Sequence, residues 1–292
     1  MNGLLRQWQE GLKLIQRRLT LPDLSPDEWA DLVLWLAEAH FWGSDYTRCI
    51  SGLQDALENL RPGHSIAHMG AIVSWLAFTY FLVGRWDEAM GLLPRLQEIA
   101  DLVHYDQSAS ARLLKGYHAA LWIALAREEQ PLIDALAAFV QTYAPLLGTT
   151  FQGYIEALLT DELEKIPLHL EAEAKHDTVL IMLCLFFNER GKPIFHELLQ
   201  AMRDADLPRS ALRDLSEIFL ALKENDNARL ARAIEAAEAH QLVHHAARMR
   251  IVLAQHTGDP APLQLARPVL ERLGDRQFLR RLEEVEESLR SP

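Results

Sequence analysis

VSWLAFTYFLVGRWDEAMGLL, residues Val73–Leu93, is the stretch from which the rest of the chain is read. Its first half is apolar with helical spacing, and the hexad Gly84-Arg85-Trp86-Asp87-Glu88-Ala89 joins that helix to a second one with almost nothing between them. The same plan stands one unit earlier. After Gly43-Ser44 comes Asp45-Tyr46-Thr47-Arg48-Cys49-Ile50, with Tyr46 in the place of Trp86, Cys49 in that of Ala89 and Leu53 in that of Leu93.

Here the chain resembles a tetratricopeptide (TPR) repeat. The family's spacing falls on Leu76, Ala77, Tyr80, Gly84, Trp86, Ala89 and Leu93: large apolar groups that interlock, small residues where helix backbones approach, and an aromatic after the turn. The resemblance implies an all-α fold, a right-handed α-solenoid of about seven TPR-like helix pairs with N- and C-terminal capping helices. It would form a single domain over residues 1–292, with a capping helix at 2–19, irregular helix pairs over 27–272 and a second cap at 275–290. More loosely, the irregular repeat lengths and the C-terminal ending are similar to the superhelical C-terminal halves of bacterial signal-responsive ATPase regulators of the maltose-activator type. The chain carries no phosphate-binding G-x-x-x-x-G-K-[ST] and no obvious helix-turn-helix, so it would supply only the sensing or docking part of such a system.

Composition agrees with helices. Leu and Ala dominate, while Gly (14) and Pro (13) fall mostly between apolar-periodic runs, and alternating Val/Ile/Thr stretches are nearly absent. Acidic residues outnumber basic ones 41 to 29, a formal charge of −12, with no segregated basic patch to meet a phosphate backbone. Nucleic acid is therefore not an expected partner. The tail from Asp226 to Pro292 is the most Arg-rich part, but its 10 Arg are matched by 10 Asp and Glu, which reads as solvated helix faces. Cys49 and Cys184 each sit in an apolar helical run, as small hydrophobes rather than a disulfide framework. No stretch reaches the ~18 apolar residues of a membrane span, and MNGLLRQWQEGLKLIQRR lacks the apolar core of a secretory signal. A cytoplasmic protein is the expectation.

Taken in order, Leu4, Leu5, Trp8, Leu12 and Ile15 give the first helix one apolar stripe. Ser25 as N-cap and Pro26 at the first helical position announce the next. Pro94 is expected to kink or shorten the second helix of the Gly84 pair. A third pair runs from about Ala109 to Ala126 and from Pro131 to Tyr143, and later turns fall at Asp161-Glu162, Arg190-Gly191-Lys192-Pro193, Glu224-Asn225-Asp226-Asn227 and Thr257-Gly258-Asp259-Pro260. Second helices then start at Tyr46, Trp86, Leu132, Leu163, Ile194, Ala228 and Pro262, in steps of 40, 46, 31, 31, 34 and 34. These scatter around the family's ~34-residue period.

Signatures of chemistry are sparse. His64 with His68, and His240 with His244 and His245, have the spacing of metal ligands on a helix, but no H-e-x-x-h pattern or Cys pair completes either set, and His196-Glu197-Leu198-Leu199-Gln200 ends in Gln where a second His is needed. No nucleophile elbow or dinucleotide fingerprint is present. The reading is thus non-enzymatic, with no cofactor and no metal. Aromatics are the better signal: all seven Trp lie in the first 122 residues. In a TPR array the first helix of each pair lines the concave groove, and the resemblance places Leu34, Glu38, Phe41 and Trp42 of the first pair there, with Ser74, Phe78, Phe81 and Leu82 of the second. These are the candidate partner-binding residues, for a protein or peptide with an apolar segment or helix. The competing reading packs Phe78 and Phe81 against neighbouring helices. Trp86 is read as architecture, filling the space between successive pairs. The leading function is a protein- or peptide-binding scaffold or adaptor that uses the concave groove; the alternative is a small-molecule- or peptide-sensing module of a bacterial signalling or transcription regulator.

Overall fold

A computed structural model describes residues 2–60, 63, 65–147, 149–162, 166, 177–191 and 210–290. Among these, every regular element is a helix. Second helices expected at Tyr46, Trp86, Leu132, Ala228 and Pro262 begin at Tyr46, Trp86, Gln130, Asn227 and Ala261. The terminal helices run Asn2–Leu19 and Arg276–Arg290. The expected helix starts at Leu163 and Ile194 lie outside the described residues, as do His64 and His196.

One joint recurs along the chain and explains the short connections. A residue in the left-handed region (Ser44, Glu128, Asn225, Gln241, Gly274; φ 57, 58, 53, 67 and 70°) is followed by an N–H that reaches back five residues. These bonds run from Asp45 to His40, Glu129 to Ala124, Asp226 to Ala221, Leu242 to Ala237 and Asp275 to Leu270, all at 2.9–3.0 Å. They satisfy carbonyls that a helix end would otherwise leave open. In three joints the next residue is an Asp whose carboxylate accepts from the first turn of the following helix: Asp45 from Arg48 N at 3.2 Å, Asp226 from Arg229 N at 2.9 Å and Asp275 from Phe278 N at 3.1 Å. Two residues thus end one helix and start the next.

The chain divides into two compact units: Met1–Phe81 with Asp87–Ala120 and Leu207–Ser210, and Leu82–Trp86 with Leu121–Asp206 and Ala211–Pro292. In the first, helix Pro26–Trp42 lies against Tyr46–Glu58, capped by Ser25 and begun by Pro26. The helix begun at Trp86 stops at Gly91, and Leu93–Val103 restarts with Pro94 in its first turn, as the proline demands. The third pair's first helix is likewise interrupted, into Gln107–Arg112 and Leu114–Arg127. Ser74 repairs that break: its Oγ donates to Leu113 O at 3.1 Å and accepts the Gly116 N–H at 2.7 Å. A Cβ on Gly116 would lie 3.1 Å from Ser74 Cα and 2.8 Å from Leu96 Cδ1, so only glycine admits this approach.

The second unit is built around Val243–Thr257, buried at every position from His244 to Ala254. Its Ala247, Ile251 and Ala254 pack with Leu263, Ala266 and Leu270 of Ala261–Leu273 and with Phe278, Leu282 and Val285 of the closing helix. The reading of the tail's arginines as solvated fails at two of them, since Arg248 is 0% and Arg250 7% exposed, while the other eight are half-buried or exposed. Arg248 pairs with Glu189, and with Asp275 at 2.8 Å, between the rings of Phe278 (4.5 Å) and Trp86 (5.6 Å). A buried guanidinium is tolerated because paired carboxylates and ring faces replace its water. Trp86 is buried, but its ring meets His244 at 5.7 Å and His244 Nδ1 sits 3.1 Å from Leu82 O, across more than 150 residues of chain. Packing between successive pairs alone does not produce such a contact.

Candidate functional site

The structure gathers the expected groove aromatics and buries them. Phe41 touches Trp42 (5.1 Å), Trp75 (5.2 Å) and Phe78 (5.9 Å), and Phe78 touches Phe81 (6.2 Å). Phe41, Phe78 and Phe81 have no exposed surface, and Leu34, Trp42, Ser74 and Leu82 are buried too. The reason is the helix Ile66–Leu82, apolar on every side, which must be covered on every side. Phe78 and Phe81 accordingly pack as core, and Ser74 is the helix-break filler already described. Beside them His118 is fully buried, and burial holds its imidazole neutral, down to about 3.

Glu38 alone of the eight stays half-exposed. Burial raises its carboxyl above the ordinary range, opposed by Lys115 and by the Trp75 indole N–H that donates to it. The Lys115 ammonium stands 4.4 Å above the Trp75 ring, its own pKa lowered by burial. One residue from each of three helices therefore makes a small semi-buried polar row, Glu38–Trp75–Lys115.

An open surface lies on the other side of the first pair. A cleft of about 300 Å³ runs between Pro26–Trp42 and Tyr46–Glu58. From the first helix it takes Trp29, Val33, Leu36, Ala37 and His40; from the second, Arg48, Ser51, Gly52, Asp55, Ala56 and Asn59. Both sets recur every three or four residues, so each is one face of its helix, and the cleft is about three turns long. Its floor is apolar or small. Gly52 leaves the middle open, since a Cβ there would meet no heavy atom within 4 Å. The chain's own packing thus gives no reason for a glycine that costs a mid-helix position about 1 kcal/mol.

The two ends of the cleft differ. By the turn stand His40 and Arg48. Burial lowers the His40 pKa, Asp45 opposes the shift and Arg48 adds to it, so the imidazole is neutral at neutral pH and the charged group that lines the cleft at this end is Arg48. Arg48 reaches Asp45 at 3.4 Å, a solvent-exposed pair of little strength. At the far end Asp55 supplies a carboxylate, and Asn59 donates its amide to Asp55 O at 2.7 Å. Nothing in the sequence reading singled out this face. The matched stripes at residues 29–40 and 48–59 were its one legible signal.

The histidines are engaged elsewhere. His68 contacts Asp31 at 2.9 Å and Ser65, His240 pairs with Asp214, and His245 lies 3.8 Å from Glu189. Among the described residues no three His, Cys, Asp or Glu side chains gather as a metal site. Burial pushes the Cys49 thiol up to about 12 and that of Cys184 higher still. No described helix is long and apolar enough to cross a membrane. Family models, curated proteins and solved structures offer no match to the chain. What stands is an all-helical protein with an open apolar cleft between two antiparallel helices.

Proposed function

We propose that this protein is a non-enzymatic helical-repeat scaffold of the tetratricopeptide type, a right-handed α-solenoid that binds a protein or peptide through a helix-shaped apolar surface. The repeated two-residue joint, the antiparallel pairing and the helix starts near the expected period support the architecture. The observation that carries the function is the cleft of the first pair. Half-buried Trp29, Val33 and Leu36 line it, and each contributes roughly half of the ~1.5–3 kcal/mol of full burial when a partner completes it. This moves the expected binding surface from the buried aromatics to the opposite face of the same pair.

The test is titration of a synthetic amphipathic helix with a single leucine stripe into the purified chain, followed by calorimetry. Gly52→Leu places a side chain in the cleft at a position whose Cβ meets no heavy atom within 4 Å and removes a helix-weakening glycine, so its fold is retained. Binding should weaken by roughly tenfold or more, as for loss of a central contact. Unchanged affinity in Gly52→Leu would refute the assignment.

A further inference from the structure

The cleft is electrically two-ended, and this says what kind of helix it takes. Arg48 and Asp55 stand two turns apart on one face of Tyr46–Glu58, with the apolar floor between and beside them. Small residues at Ala37, Ser51, Gly52 and Ala56 let a third helix approach the groove closely, its ridge lying between the two. Resting on the reading of the cleft as a binding surface, we infer that its occupant is an amphipathic helix of another protein. That helix carries one carboxylate and one basic group two turns apart, astride its apolar stripe.

The carboxylate meets Arg48, whose exposed pairing with Asp45 is weak enough to be exchanged. The basic group meets Asp55. A helix with two basic groups at these places faces repulsion at Arg48, and one with two acidic groups faces it at Asp55. Opposite ends of the site thus select against both uniform patterns. His40 adds no charge to the selection at neutral pH, because burial keeps it neutral.

The test uses three synthetic helices with one leucine stripe and, two turns apart, a Glu–Lys, a Lys–Lys or a Glu–Glu pair. The wild-type chain should bind the Glu–Lys helix roughly fivefold more tightly than either other, a preference that fades in high salt. Arg48→Glu should reverse the order and make the Lys–Lys helix the tightest. That variant folds, because the side chain at 48 is 73% exposed and only its weak surface pair with Asp45 is lost. Equal affinity for all three helices, or an unchanged order in Arg48→Glu, overturns the charge assignment; if Gly52→Leu still abolishes binding, the cleft itself stands. Binding indifferent to Gly52→Leu overturns both.

Discussion

Replacing Arg248 by Met leaves two carboxylates in the core of the second unit without their cation. The methionine keeps most of the length and apolar body of the side chain, so the change is mainly electrical. Glu189 and Asp275 are 1% and 0% exposed, and water cannot take over the role of the guanidinium. Removing one partner of such a buried pair costs about 3–5 kcal/mol. An independent route gives a similar figure. Burial works against ionisation of Glu189, yet Arg248 and His245 hold its pKa at about 2. Against an ordinary value near 4.3, that is about 3 kcal/mol of stability.

The sign with pH follows. Glu189's depressed pKa gives wild type a contribution present above about pH 4.3 and lost only as pH falls toward 2. Asp275 has the opposite sign: burial outweighs Arg248 and raises its pKa, so its contribution is lost as pH rises through that folded value. In Arg248→Met burial acts on Glu189 with its main cation gone, so the folded variant takes up a proton and gains stability on acidification. Buried His244 and His245 are lowered by burial and also by Arg248, so both forms lose stability below neutral pH but the variant loses less, which closes the gap in the same direction. Urea denaturation followed by far-ultraviolet circular dichroism should show a gap of about 3–5 kcal/mol near pH 7.5, shrinking clearly by about pH 4.5. A neutral-pH gap under about 1 kcal/mol, or one that does not close with acid, would refute the reasoning.

Two further outcomes test the packing. Trp86→Ala should cost about 3–5 kcal/mol, since a buried large aromatic is lost together with a ring face over Arg248; an unchanged melting temperature would count against the position assigned to that ring. Gly116→Ala should destabilise the first unit by about 1–3 kcal/mol through the clash at Ser74 Cα and Leu96, and thermal melts that show no loss would mean that this approach is looser than described.

The helices and their ends were legible in the sequence because their causes are local. Ser25 and Pro26 start one helix, Pro94 stops another, and Gly258 and Gly274 take left-handed positions after two more. Such signals act over a few residues and need no knowledge of what lies across the molecule. The joint at Ser44-Asp45, Asn225-Asp226 and Gly274-Asp275 was also present, though it is seen as one device only when the backbone bonds are laid side by side.

What only the tertiary structure decided is which faces are covered. The Phe41, Phe78 and Phe81 stripe has the same spacing whether a partner or a neighbouring helix meets it, and neighbouring helices do. VHHAARMRIVLAQHT reads as polar, yet it is the central helix of its unit, because Arg248 finds Glu189 and Asp275 from distant segments. The cleft beside Gly52 exists because two ordinary amphipathic faces lie side by side with nothing of the described chain filling the space between them. Burial depends on contacts between residues far apart in sequence, and periodicity, which is a property of one segment, carries no information about them.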